Sequence, residues 1–423
     1  PLPHARTDPT RDMHILLLNQ PFYPDVVATA QMGKDLADEL VRRGHTVSAV
    51  SSRSIYGKTG ASLAKFEVAD GIRIHRVGTN VFGKNGFLAR VFDFGLYYAL
   101  AAFKTLTMRP RPDVVIGFTT PPFIAMLGII ARALRGSKSV YWVMDLYPDV
   151  GVAGGMFKPG AIPTRFMERL GRWMTRKSDA VVVLGRCMRD RLLAKGLPAS
   201  NIHVITVWDA AEGQGAHTER DPRSTAFRTR WNLGDAFIVM YSGNLGLAHD
   251  AETIVSAVVA MKDRADVRFV FVGSGKQRPL VERAIQQHGL TNASYHDYVP
   301  REELAELLAT ADAHLVTVHP KFVGLIVPSK LYGVLGVGRP VIYVGPGESE
   351  VGLTIVEAGA GVSVASGQPG ALVSAIDALA ADPARARAMG ESARRAVPGR
   401  FDRATSTKKW ADLVEGLAGQ RHA

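Results

Sequence analysis

The chain has a single cysteine, Cys187, in 423 residues. A lone thiol can form neither an intrachain disulfide nor a cysteine metal cluster, which excludes a disulfide-stapled fold and suits a reducing compartment such as the cytoplasm. Cys187 itself reads as a small buried side chain. Long apolar runs are equally scarce. Residues 114–131 carry no charge, but Thr119-Thr120-Pro121-Pro122 interrupts them, so they read as a buried strand, a turn and a core-facing helix over 123–134 rather than a membrane span. Residues 1–12 lack an apolar stretch and read as a loose leader before Met13. Acidic residues are sparse in one half only. Residues 1–207 hold 28 Lys/Arg against 15 Asp/Glu, and the remainder holds 23 against 24, so the front half carries +13 and the rest −1 of the +12 net charge. An anionic partner is therefore expected for that half. No zinc-ligand spacing and no aromatic-basic RNA-binding signature accompanies the charge, so nucleic acid is not expected.

What is present is a repeated strand, loop and helix. Apolar runs at 15–18, 47–50, 72–77, 114–118, 140–143, 181–184 and 203–207 read as strands of a parallel sheet covered on both faces. A helix over 30–43 is stopped by Gly44. After a polar stretch the grammar restarts with strands at 237–241, 268–272, 294–298, 314–318, 341–344 and 361–364, and a helix over 252–262. Two doubly wound α/β domains are expected: residues 13–207, a linker over 208–222, and residues 223–403. Residues 404–423 form a tail whose amphipathic helix, 404–417, can cross back to the first domain. Ligands of such sheets bind beyond the strand carboxyl ends, so two facing domains make an interdomain cleft.

The loop after the strand ending at Tyr241 contains Gly243, Asn244 and Gly246, and the next strand ends in Gly273-Ser274-Gly275-Lys276. Glycines let backbone amides approach a phosphate closely, although plain turn chemistry explains each loop equally well. The strongest local signal is Pro328-Ser329-Lys330-Leu331-Tyr332-Gly333. A lysine at a helix start is electrostatically misplaced unless an anion joins it, so Lys330 reads as a phosphate ligand.

These segments, with Asn19-Gln20-Pro21-Phe22-Tyr23-Pro24, Tyr141 to Asp149, Ser178 to Leu184, Val299-Pro300 and Glu302-Glu303-Leu304, resemble glycosyltransferase family 4, a nucleotide-sugar-dependent family with the GT-B fold of two facing Rossmann-like domains. The resemblance runs from Met13 over nearly the whole chain and is greatest to the surface-polysaccharide branch, the O-antigen and colanic-acid enzymes. It implies a retaining transfer from a nucleotide-diphosphate sugar to a sugar or lipid-linked acceptor. The implied donor-binding residues are Gly243, Asn244, Gly273, Ser274, Val299, Ser329 and Lys330. Thr29, in the Ala28-Thr29-Ala30 segment that replaces the family's glycine pair, and Asp149 fall on the acceptor side of the cleft.

Several positions depart from the family pattern. The usual Arg and Lys that neutralise the donor diphosphate fall at Asn244 and His249, and the paired glutamates fall at Leu325 and Gly333. Glu350 can replace the missing ribose-binding carboxylate, or is a solvated loop residue. Asp145 follows an apolar strand and reads as a catalytic residue at the cleft edge or as a turn aspartate. No Asp-x-Asp, the usual metal ligand of metal-dependent transferases, occurs anywhere, so neither metal nor other cofactor is expected. The departures leave a second reading open: a catalytically reduced GT-B subunit that binds a nucleotide sugar or a partner enzyme without transfer. Two basic amphipathic stretches in the front half suggest an anionic membrane surface. One runs through Phe87, Val91, Phe94, Tyr98 and Phe103 and reads either way. The other, Phe166, Met167, Leu170, Trp173 and Met174, reads as core.

Overall fold

The structure is a computed structural model that describes residues 12–55, 62–78, 87–208 and 221–419. The first domain holds one eight-stranded sheet: β1 (His14–Leu18), β2 (Thr46–Ser52), β3 (Phe66–Ala69), β4 (Ile72–Val77), β5 (Val114–Gly117), β6 (Lys138–Val143), β7 (Ala180–Val183) and β8 (Ile202–Val204). Their order is β3-β4-β2-β1-β5-β6-β7-β8, parallel except for β3. The second domain has six parallel strands: β9 (Phe237–Ser242), β10 (Val267–Val272), β11 (Ala293–His296), β12 (Ala313–Thr317), β13 (Val341–Val344) and β14 (Gly361–Val364), in the order β11-β10-β9-β12-β13-β14. Central strands such as β1, β5 and β13 are buried at every position, which is why their sequences are unbroken apolar runs.

Each sheet reverses its direction of growth beside its first strand. Ile15 pairs with Val47 on one side and Val114 on the other, and Met240 with Val270 and His314. The loop after β9 therefore sits at a topological switch point, where parallel sheets bind ligands.

One apolar core runs through both domains. Trp142 of β6 packs on Phe118 and Trp208, and meets Trp410 at 4.4 Å between ring centroids. Trp410 belongs to the Arg403–Gly419 helix, which lies against the Ala28–Arg42 helix of the first domain. Arg43 binds Asp412 (2.9 Å) and Glu415 (3.0 Å), fixing that contact. Most of the expected linker, residues 209–220, lies outside the described residues.

Three expectations are corrected. β3 was not expected, because Phe66-Glu67-Val68-Ala69 is a short, half-exposed antiparallel edge without an apolar run. The strand expected over 294–298 ends at His296, leaving Tyr298 in a loop with 56% of its surface exposed. The stripe from Phe166 to Met174 is core only in part: Met174 lies in the core and Leu170 packs against it, but the aromatic members do not. The Ile162–Lys177 helix buries Thr164, Met174 and Thr175, while Phe166 and Trp173 face outward. In the Phe87–Thr107 helix, Phe94 and Phe103 are exposed, and Tyr97 and Ala101 face the core. Lys84 and the side chains of Phe87 and Val91 lie outside the described residues. Among the described residues no helix is long and apolar enough to cross a membrane.

Candidate active site

In the second domain the loops after β9 and β10 are pressed together backbone to backbone. Gly243, Gly273 and Gly275 all have φ between 126° and 138°, a conformation that glycine alone adopts freely. A Cβ on Gly273 would stand 2.4 Å from the Gly243 carbonyl oxygen, and one on Gly275 equally close to that of Leu245. The amide of Leu245 donates to the Ser274 carbonyl (2.7 Å), and Gln277 donates from its backbone to Leu245 (3.0 Å) and from its side chain to Gly246 (2.6 Å) and His249 (2.8 Å). Asn244 and Ser274 are left exposed at the front of this paired loop.

Lys330, the first residue of the Lys330–Gly336 helix, reaches back into the same place. A Cβ on Gly243 would lie 3.3 Å from its Cε and 3.5 Å from its Nζ. The ammonium stands 3.7 Å from the centroid of the Tyr241 ring and donates to the Tyr241 hydroxyl, which donates in turn to the Asn244 carbonyl (2.9 Å). No carboxylate pairs with it among the described residues. Burial therefore holds Lys330 well below the usual lysine range. His249 lies alongside. Its Nδ1 is 2.7 Å from the Thr317 carbonyl, which can only accept, so the proton is on Nδ1. Burial and then Lys330 push the imidazole down to about 3, leaving it neutral. The site thus sets the Lys330 ammonium beside a neutral imidazole and a phenol, while the Arg278 guanidinium, 3.3 Å from the Gly273 carbonyl, is already paired with Glu282 and Asp297.

Asp145 lies two residues past β6, partly enclosed, with its carboxylate unpartnered among the described residues. Burial pushes it up to about 6. The next residue ties the domains together, since the amide of Leu146 donates to the carbonyl of Leu325 in the second domain (3.0 Å). Asp145 therefore stands where the two facing edges meet. Thr29 sits in the first turn of the Ala28–Arg42 helix, its carbonyl accepting from Asn19 Nδ2 at 3.3 Å.

Other expected site residues are engaged elsewhere. Asp149 is ion-paired to Lys195 (2.5 Å) and lies 3.8 Å from Arg191, so its carboxylate braces the neighbouring helix instead of offering itself to an acceptor. The Val299 side chain packs on the apolar cluster of Ile238, Met240 and Val272, so only its backbone can meet a ligand. Ser329 stands just before the Lys330–Gly336 helix and makes no side-chain cap. Tyr298, whose ring comes within 3.1 Å of the place a Gly273 Cβ would take, was not expected at the site because it was assigned to a strand.

The Glu350 expectation is also corrected. This carboxylate, 8% exposed, accepts from the amides of Arg186 (2.6 Å) and Cys187 (3.4 Å) in the first domain and pairs with the Arg186 guanidinium at 3.1 Å. A Cβ on Gly185 would stand 2.5 Å from it, so any larger residue there would have to displace the Glu350 side chain. Arg186 also binds Glu357, which binds Arg400. Glu350 is a tether across the domain boundary, already satisfied. Glu350→Ala should cost about 2 kcal/mol of stability in a urea melt, less than the roughly 3–5 kcal/mol of a fully buried pair because Arg186 is partly exposed. Lost nucleotide affinity with an unchanged melt would instead restore the ribose-binding role.

Two facing parallel-sheet domains, with a glycine-backed, cation-bearing loop pair at the switch point of the second, form the GT-B architecture of glycosyltransferases. Residues 29–208 match the glycosyl transferase 4-like domain, and residues 224–396 match the glycosyl transferases group 1 model; the chain belongs to this glycosyltransferase family. It is 28% identical to the probable glycosyltransferase WbjE of Pseudomonas aeruginosa over 69% of this chain and 71% of that one. It is 25% identical to the putative colanic acid biosynthesis glycosyl transferase WcaI of Escherichia coli K12, over 80% and 85%. Among solved structures, Anabaena HepE in complex with UDP and glucose superposes with a TM-score of 0.70 at 17% identity, covering 95% of this chain and 99% of that one.

Proposed function

We propose that the chain moves a hexosyl unit from a nucleotide-diphosphate sugar to a hydroxyl of a sugar or lipid-linked acceptor, with retention at the anomeric carbon and without a metal. It would serve surface polysaccharide or glycolipid synthesis, peripheral to the inner face of a cell membrane. The observation that carries this reading is Lys330: a buried ammonium without a carboxylate, aimed at Gly243 between two loops whose glycines admit close backbone approach. A diphosphate at that place restores the missing counter-charge. As the glycosyl bond breaks, negative charge grows on the leaving phosphate, and a fixed ammonium stabilises that charge more than it stabilises the bound donor. The sugar meanwhile gains oxocarbenium character. The acceptor proton passes to the leaving phosphate, with the Asp145 carboxylate orienting the attacking hydroxyl. Two similar proteins support the donor and pathway classes: HepE, solved in complex with UDP-glucose, and WcaI, named for colanic acid biosynthesis.

A thermal-shift screen over nucleoside diphosphates and their sugars tests the donor claim. A specific donor at about a hundredfold above its Kd should raise stability by about 2.7 kcal/mol. Turnover with the donor so found should survive a chelator. No response to any nucleotide would remove the reading. Asn244 and His249, standing where the family has cations, favour one competitor, a binding subunit without transfer. Donor hydrolysis or transfer by the isolated chain excludes it.

A further inference from the structure

The Tyr241 hydroxyl touches two parts of the candidate site at once. The residue lies near the carboxyl end of β9, at the switch point of the second sheet, and is fully buried. Its ring packs beside Phe271 and stands edge-on to His249. A phenylalanine would fill that space equally well, so packing alone does not account for the hydroxyl. Chemistry fixes the direction of its hydrogen bonds. The Asn244 carbonyl can only accept and the Lys330 ammonium can only donate, so the phenol donates to Asn244 (2.9 Å) and accepts from Lys330.

The peptide that Tyr241 reaches is held from its other edge as well. It presents the Asn244 carbonyl to Tyr241 and the Leu245 amide to the Ser274 carbonyl (2.7 Å). A trans peptide directs these groups oppositely, so Tyr241 and the loop after β10 grip one peptide between them. The amides of Asn244, Ser274 and Gly275 have no acceptor among the described residues, which leaves donors unspent in both loops.

We infer that Tyr241 is a positioning residue for the anion site: its one hydroxyl seats the Lys330 ammonium and fixes the Asn244–Leu245 peptide, setting the cation and the amide loops to each other before a nucleotide arrives. The inference rests on the transferase reading, in which Lys330 meets a diphosphate. A lysine stem is flexible, and ordering it costs free energy that a bound anion would otherwise have to supply. Here the phenol accepts from the ammonium and the ring covers one side of it, 3.7 Å from the centroid, so the stem is ordered in the free chain and its remaining protons are left for the Gly243 side. Two hydrogen bonds in series polarise each other, so donation to Asn244 makes the phenol a better acceptor for the ammonium. The titratable groups around the pair are His249 on the loop after β9, and Tyr295 and Tyr298 from β11 and the loop beyond it. Arg278, over the Tyr295 ring, is paired with Glu282 and Asp297, and no carboxylate pairs with the ammonium among the described residues.

The test is calorimetric titration of wild type, Tyr241→Phe, Lys330→Met and the double variant with UDP, GDP, ADP and dTDP, continued with whichever nucleotide the wild-type chain binds. Phenylalanine keeps the ring beside Phe271, so the variant should fold, which a melt without nucleotide checks. At neutral pH Tyr241→Phe should bind about tenfold more weakly, the worth of one hydrogen bond to a charged group. In the Lys330→Met background the same change should cost less than about threefold, because its larger part acts through the ammonium. A hydroxyl that favours the ammonium form also holds its proton, so the limb on which affinity weakens with rising pH should begin about one unit lower in Tyr241→Phe. A tyrosine that served packing alone would change the melt and move neither the cycle nor the limb. Equal losses in both backgrounds, an unmoved limb or wild-type affinity in Tyr241→Phe would overturn the positioning role and leave the transferase reading standing, since the wild type still binds. A wild-type chain that binds none of the four nucleotides would remove that reading, and the positioning role with it.

Discussion

Lys330→Met is expected to make the free protein more stable and the enzyme nearly inactive. In the free chain the ammonium is buried against Tyr241 and beside a neutral His249, with no carboxylate among the described residues to balance it. A linear apolar side chain removes that burden, and the gain should be about 1 kcal/mol, as when other buried charges are replaced by apolar groups. Turnover should fall about a hundredfold to a thousandfold, the range for losing one fixed donor to a developing anion. The sign separates two roles. If Lys330 served only to pack on the Tyr241 ring, methionine would destabilise the protein and leave donor binding alone. A linked pH effect follows from the same burial. The folded chain holds the Lys330 proton less tightly than the unfolded chain does, so this group makes stability rise with pH from its lowered value up to about 10.5. Diphosphate needs the protonated form, so nucleotide affinity should weaken over the rising limb of that window. Calorimetry of nucleoside diphosphate binding at several pH values reads both effects, and an affinity independent of pH would take the ammonium out of the site.

The sheets were largely legible because buried parallel strands leave an unmistakable trace. Residues 341–344, buried throughout, were placed with the bounds the structure gives, and so were the half-buried strands 72–77 and 361–364, whose ends are marked by glycine-containing turns. Lys330 stands out in the sequence for another reason: its charge conflicts with the position it occupies, and conflicts can be read locally. The fate of Glu350 could not be, since its partner lies 164 residues away and nothing near it marks an amide pair across a domain boundary. The core reading of the Ile162–Lys177 helix holds for Met174 and Leu170 and fails for its aromatic residues. Phe, Trp and Met suggested core, yet two threonines and a single methionine are the buried residues, and the aromatic side chains share the outer face with arginine. Apolar periodicity locates a face of a helix without saying what covers it.

Asp145→Asn should likewise trade activity for stability, by a different route. Burial raises the Asp145 carboxyl to about 6, against roughly 3.9 in an unfolded chain. The folded state therefore binds the extra proton between those values, and stability falls as pH rises through them. At neutral pH the full cost of holding the partly enclosed carboxylate is present, at most about 3 kcal/mol, and below about pH 4 it vanishes. Asparagine keeps the shape without the charge, so the variant should melt higher than wild type at pH 7 and equally at pH 4. If the carboxylate orients the acceptor hydroxyl, turnover should drop about a hundredfold or more. Wild-type turnover should also lose its ionised Asp145 as pH is lowered through about 6, a limb the variant would lack. Nucleotide affinity should remain near wild type, because the glycine loops proposed to hold the diphosphate lie in the other domain. A variant with unchanged turnover and the same acid limb would assign that limb to another group and leave Asp145 as a turn residue beside the Leu146 to Leu325 hydrogen bond. A variant that gains stability while losing only the chemical step would mark Asp145 as a charge held at the seam for catalysis.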